Sequence, residues 1–144
     1  MVNKWDEAPK GLMQTEFEKE IRSRFKFLDF AKIIFTSAKT LKGVNNILPS
    51  IDEAYTSCCR RVPTSILNEI ISDAQALNPT PDFNHGRLNI KFASQVSVNP
   101  PTFVMFCNNP KFAHFSYTRY LENRLRESFD FTGTPINIIY RERK

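Results

Sequence analysis

The sequence predicts an α+β chain made of two unlike parts. In four separate stretches apolar residues recur at steps of three and four, the repeat of an amphipathic helix. Shorter stretches either alternate apolar with polar residues or run apolar without a break, as strands do. The order of these elements differs along the chain: residues 1–62 read loop, helix, strand, helix, whereas residues 63–144 read α-β-β-α-β.

Residues 1–11 are polar and loop-like. Met13, Phe17, Ile21, Phe25 and Leu28 then line one helix face, with Glu16, Glu18, Lys19, Glu20, Arg22 and Arg24 on the solvated side. Residues 31–36, with Ile33, Ile34 and Phe35 in succession, read as a strand covered on both faces in a parallel sheet. Residues 1–62 offer it no second strand, so it is expected either to join the C-terminal sheet or to lack the sheet it belongs to. After a loop at residues 37–40, Val44, Ile47, Leu48, Ile51, Tyr55 and Cys58 keep helical spacing. Asn45 is the expected N-cap, and Pro49 falls in the first turn, where a missing N–H costs least.

Pro63 disfavours helix at Val62 and marks a boundary. Thr64 is expected to cap the next helix, whose apolar face is Ile66, Leu67, Ile70, Ile71, Ala74 and Leu77. Residues 78–82, with Pro79 and Pro81, form a turn-rich loop. Leu88, Ile90 and Phe92 alternate with Asn89 and Lys91 as a half-buried strand, which residues 99–101 end. Residues 102–107 form a second strand. A helix from about residue 114 to 129 shows Tyr117, Leu121, Leu125 and Phe129, with Tyr120 beside them. A loop at 130–135 follows, and Ile136, Ile138 and Tyr140 alternate in the last strand.

Composition narrows the function classes. The chain of 144 residues is 41% hydrophobic and carries 17 Phe or Tyr, which excludes a disordered or fibrous chain. No apolar run approaches the ~18–20 residues of a membrane helix, and residues 1–6 lack a signal-like apolar core, so neither membrane association nor secretion is expected. Cys58, Cys59 and Cys107 make no disulfide framework, which suits a reducing cytoplasm. With only His85 and His114, no metal-binding residues are expected. A net charge of +5 permits a nucleic-acid partner.

Asn3-Lys4-Trp5-Asp6 matches NKxD, and Ser37-Ala38-Lys39 begins thirty-one residues after Asp6. A carboxylate accepts two hydrogen bonds side by side. Guanine presents two adjacent N–H donors, so an Asp separates it from adenine, and a wrong base leaves polar groups unpaired. An Asn can tie neighbouring loops together, and a Lys stem can lie along a flat base. The sequence has no GxxxxGK[ST] segment to cradle phosphates, and Asp130-Phe131-Thr132-Gly133 reads as a loop rather than a Mg²⁺ motif. This chain alone is therefore expected to hydrolyse no GTP.

Beyond these two motifs lie Arg61-Val62-Pro63-Thr64-Ser65, the segment Pro100-Pro101-Thr102-Phe103-Val104, a helix from Tyr117-Thr118-Arg119-Tyr120 to Arg126-Glu127, and Gly133-Thr134-Pro135-Ile136. Together they closely resemble the bacterial double-GTPase family called EngA or Der. The resemblance implies two consecutive G domains, a C-terminal KH-like domain and a role in maturing the large ribosomal subunit. By it, residues 1–62 look like the end of the second, P-loop-type α/β G domain, and residues 63–144 like the KH-like α-β-β-α-β domain. Asn3, Lys4 and Asp6 match the guanine-specificity motif; Ser37, Ala38 and Lys39 match the loop that supports the base. The chain then looks like a C-terminal fragment. It implies that GTP or GDP, with Mg²⁺, binds in the full-length parent and that this chain holds none. The implied partners are the rest of the GTPase in cis and the large ribosomal subunit with its rRNA.

A KH fold that clamps single strands uses a GxxG loop, and this sequence has none. Lys111, Arg119, Arg124, Arg126, Arg141, Arg143 and Lys144 remain as candidates for phosphate contact, although the interleaved Glu122 and Glu127 equally describe a solvated helix face. Tyr117, Tyr120, Phe103 and Phe106 are expected in the core, His114 at a helix start, and His85 in a structural loop. The alternative reading is a stand-alone, non-enzymatic RNA- or protein-binding module. Another kind of enzyme is disfavoured, because no paired carboxylates or nucleophile–base spacing occur.

Overall fold

The computed structural model describes residues 1–143. Four helices, α1 (Gln14–Arg24), α2 (Ile47–Cys58), α3 (Thr64–Leu77) and α4 (Phe115–Ser128), accompany two small sheets. A hairpin pairs β1 (Asp82–Phe83) with β2 (Gly86–Arg87), and a three-stranded sheet has the order β3 (Ile90–Ser97), β4 (Thr102–Cys107), β5 (Asn137–Glu142). β4 runs antiparallel to β3 and parallel to β5. The C-terminal part is thus α-β-β-α-β, with the β1–β2 hairpin added where the sequence predicted only loop.

One core holds this part together. Leu67, Ile71 and Ala74 of α3 and Tyr117, Leu121 and Leu125 of α4 pack on Ala93, Phe103, Met105 and Cys107 of the sheet. Each such large apolar side chain stabilises the fold by about 1.5–3 kcal/mol. Val62, Phe131 and Ile136 close the same cluster, and Phe103 meets Phe131 edge-on at 6.0 Å. The outer edge of β3 is covered by amides from α3. Asn68 accepts from the Ala93 N–H (2.7 Å) and donates to its carbonyl (2.8 Å); Gln75 does the same for Ile90 (2.9 Å each). Seven residues of helix rise about 10.5 Å and three of strand about 10 Å, so the two amides keep step with the strand.

Several predicted details shift. A bulge between Ile90 and Phe92 breaks the expected alternation: Leu88 and Ile90 are buried, but Phe92 turns outward and Ala93 inward. Phe106, expected in the core, lies half-buried on the outer sheet face against Phe92, because β4 alternates about the buried Phe103 and Met105. Ile66 and Leu77 are exposed, since only the centre of the predicted α3 face meets the sheet. Thr64 is the first residue of α3 rather than its cap; Pro63 holds that position without a side-chain bond. Asn45 lies inside a 3₁₀ turn, Val44–Asn46, that leads into α2. α1 stops at Arg24, and Phe25 and Leu28 are exposed around the turn Lys26–Leu28.

Residues 31–36 form no full strand. Phe35 instead makes a parallel bridge to Val2, with Val2 N–H on Ile34 (2.7 Å) and Thr36 N–H on Val2 (2.8 Å). The pairing comes from the N-terminal residues read as loop, not from the C-terminal sheet. A short polar segment carries no alternation to betray it.

The two parts are joined by specific bonds. Gly133 N–H donates to Phe30 (2.9 Å), and Asn99 N–H donates to Cys58 (3.1 Å). The Arg126 guanidinium lies 5.1 Å from the Phe30 ring centroid, a cation–π contact. Gln95 accepts from Val62 N–H (2.8 Å) and donates to the Arg60 carbonyl (2.9 Å), fastening residues 60–62 to β3.

Candidate functional site

Trp5 explains how the NKxD segment stands on the surface. Its ring packs on Phe35 (4.5 Å) and Phe17 (5.6 Å), while Asn3, Lys4 and Asp6 remain exposed around it. Lys4 takes a left-handed backbone (φ 61°) before the 3₁₀ turn Trp5–Glu7. The free position of the motif is therefore an anchor, and the three named positions form a rim.

The second loop closes on itself. Ser37 N–H donates to Lys42 (2.9 Å), and Thr40 N–H donates to Ser37 Oγ (3.1 Å). Gly43 ends it at φ +76°, where a Cβ would stand 2.2 Å from the Phe35 carbonyl oxygen.

The two segments meet directly. Ser37 Oγ donates to Asp6 Oδ1, and Asn3 Oδ1 accepts from Ala38 N–H (3.2 Å) and the Thr36 hydroxyl (3.5 Å). The Ser37 hydrogen bond holds the Asp6 carboxyl below the usual carboxylate range, helped by Lys39 and Lys4. Asp6 is thus an anchored, ionised acceptor at neutral pH, and Asn3 keeps its amide N–H₂ as a donor. A cavity of about 480 Å³ opens beside Asp6, lined also by Trp5, Gln14, Phe35, Thr40 and Lys42. Gln14, Thr40 and Lys42 escape a sequence reading because no motif marks them. Asn3, Lys4, Asp6, Ser37, Ala38 and Lys39 are all brought to this one end of the N-terminal part.

The basic candidates are dispersed. Arg126 is engaged inside the fold: it pairs with Glu122 (2.9 Å) and donates to the carbonyls of Phe131 (3.0 Å) and Thr134 (3.1 Å). Arg124 pairs with Glu127 (2.7 Å). Arg119 lines a groove with Lys26, Phe27 and Asn123. Lys111 is exposed in the turn Pro110–Phe112, and Arg141 and Arg143 are exposed at the end of the sheet. Lys144 lies outside the described residues.

The remaining polar groups have structural partners. His114 caps α4, accepting from Ser116 N–H (3.2 Å). Burial pushes the Tyr117 phenol up to about 12, and its OH donates to Asn78 (3.1 Å). Tyr120 OH donates to Ala74 (3.0 Å). Asp130 accepts from Thr132 N–H (3.1 Å), the local turn of a loop. Among the described residues no three His, Cys, Asp or Glu gather as metal ligands. No helix among them is long and apolar enough to cross a membrane.

Comparison with known proteins agrees with this architecture. The model of a family described as "KH-domain-like of EngA bacterial GTPase enzymes, C-terminal" matches residues 61–141. The chain is 54% identical to the GTPase Der of Bacillus cereus, over 99% of its own length and 33% of the relative's. It is 53% identical, with the same coverage, to the GTPases Der of Bacillus thuringiensis and Bacillus anthracis. The chain spans about a third of the length of the curated relatives it matches. With the matched unit covering α3, α4 and the three-stranded sheet up to Arg141, the chain belongs to the EngA family through its C-terminal KH-domain-like region.

Proposed function

We propose that this chain is the C-terminal portion of a ribosome-biogenesis GTPase acting in the cytoplasm on the large ribosomal subunit. Residues 1–62 end a G domain and supply its guanine-selecting rim. Asp6 accepts the two adjacent N–H donors of the base, Asn3 and Ala38 brace the loops, and the Lys4 and Lys39 stems flank the ring. Residues 63–144 contact rRNA, with Lys111, Arg119, Arg141 and Arg143 among the candidates for phosphates. The phosphates of GTP or GDP, with Mg²⁺, are gripped by segments of the longer protein, which act in cis. The name GTPase carried by the relatives supports this reading.

The observation that carries it is the meeting of Asp6 with Ser37 and of Asn3 with Ala38, across a separation of more than thirty residues. An isolated polar tail has no reason to adopt that pairing. The test is a chimera in which this chain replaces the matching third of the Bacillus cereus relative, made without the first of the two G domains that the resemblance implies, so that binding is read at the second alone. We expect it to bind GTP at least about 100-fold more tightly than ATP, since two charge-assisted hydrogen bonds are at stake. Equal affinity for both nucleotides would contradict the assignment.

A further inference from the structure

The outward face of the three-stranded sheet carries a pattern that its helix-covered face lacks. Phe103, Met105 and Cys107 point into the core, so Thr102, Val104 and Phe106 face the other way. On β5, Ile138 and Tyr140 pack on the core, so Ile139 and Arg141 face outward. Pairing register then aligns Phe92, Phe106 and Arg141 in one row across the three strands. Ser94, Val104 and Ile139 form the next row, where Val104 is buried between its neighbours, so the Phe92–Phe106–Arg141 row is the more open one.

The bulge at Lys91 is what brings Phe92 to this face, where it is 40% exposed. Its ring lies 6.0 Å from that of Phe106, tilted by 36°. Arg143 joins both rings around a recess of about 370 Å³. The outward positions 92, 94, 96, 102, 104, 106, 137, 139, 141 and 143 include no Asp or Glu. The face is therefore aromatic at its centre and cationic at its margin. Arg124 and Arg126, by contrast, are paired with Glu127 and Glu122.

We propose that this face is a stacking platform for unpaired bases of single-stranded RNA: Phe92 and Phe106 carry the bases, and Arg141 and Arg143 take the flanking phosphates. Aromatic rings stack any base, and adjacent cations neutralise the backbone that accompanies it. The charge complementarity selects RNA over an apolar protein segment. No GxxG loop is needed, because the sheet rather than a helix–loop cleft supplies the surface. The platform rests on the ribosome-contacting function proposed above and assigns it to a particular surface.

Fluorescence anisotropy of the full chain with a short labelled oligouridylate tests it, beside co-sedimentation with large ribosomal subunits. Phe92→Leu and Phe106→Leu keep apolar volume but remove the π face; each should weaken RNA binding about tenfold at fixed salt. Arg141→Gln with Arg143→Gln, at exposed positions that bear no core contact, should reduce the salt slope by about 1.4, the value for two phosphates on a single strand. Thermal melts identify any variant that fails to fold, and the arginine pair then carries the test. Leucine variants that fold and bind RNA as the parent does would overturn the platform, as would an unchanged salt slope. Co-sedimentation that persists in such variants would leave the ribosomal function standing. A chain that neither binds RNA nor co-sediments would remove both. A concentration-dependent dimer broken by Phe92→Leu would assign the face to a second copy and overturn the RNA proposal.

Discussion

Gln95 lies in β3 with 8% of its surface exposed, and its amide satisfies the buried Val62 N–H and the carbonyl of the exposed Arg60. Gln95→Met keeps the length of the side chain but leaves the Val62 N–H and Arg60 carbonyl unpaired. Only the Val62 N–H is a buried orphan, so unfolding in urea should show a loss of about 1–3 kcal/mol. A loss below about 0.5 kcal/mol would mean that water replaces the amide. Nothing in the sequence marks Gln95, Asn68 or Gln75, because a side-chain amide has no periodicity and its partner is a backbone group far along the chain. The meeting of residues 3–6 with residues 37–39 was legible for the opposite reason: NKxD and SAK are side-chain identities at fixed spacing. Arg126 misleads a sequence reading. Beside Glu122 it looks like half of a solvated pair, yet Phe30 and the 131–134 loop draw it into the joint.

At the scale of elements, the helices were legible because one face of each repeats over several turns. Their ends were not, since α2 and α3 start without side-chain caps. The first bulge in β3 inverts the faces of the residues up to a second register shift between Gln95 and Ser97, so Leu88, Ile90 and Phe92 alternate correctly for only two positions. The loop between Phe35 and α2 is governed by Gly43, whose left-handed backbone and close approach to the Phe35 carbonyl admit no side chain. Gly43→Ala should cost about 1–3 kcal/mol and loosen residues 37–42. Hydrogen exchange at the Ser37 and Thr40 amides reads this directly, because both amides are bonded within the loop. Unchanged exchange in a folded variant would show that the loop does not depend on the glycine.

The whole molecule is two parts that share a joint, and each part explains a different half of the sequence. The C-terminal part closes its own core, which is why its α-β-β-α-β order could be read from apolar periodicity alone. The N-terminal part buries little: none of the residues of α1 is buried, and Leu48, Ile51 and Tyr55 of α2 are exposed. Its apolar stretch at 31–36 looked like a strand of a larger parallel sheet, and only the Val2–Phe35 bridge forms. What this part preserves is the rim, fixed by the Trp5–Phe35–Phe17 cluster rather than by a sheet. Asp6→Asn, introduced into the chimera with the Bacillus cereus relative, exchanges one acceptor for a donor and so matches xanthine, which carries a carbonyl where guanine carries its amino group. Competition binding should show GTP affinity falling about 100-fold while xanthosine triphosphate becomes the preferred ligand. GTP affinity unchanged by the substitution, or GTP and xanthosine triphosphate weakened alike, would contradict the account.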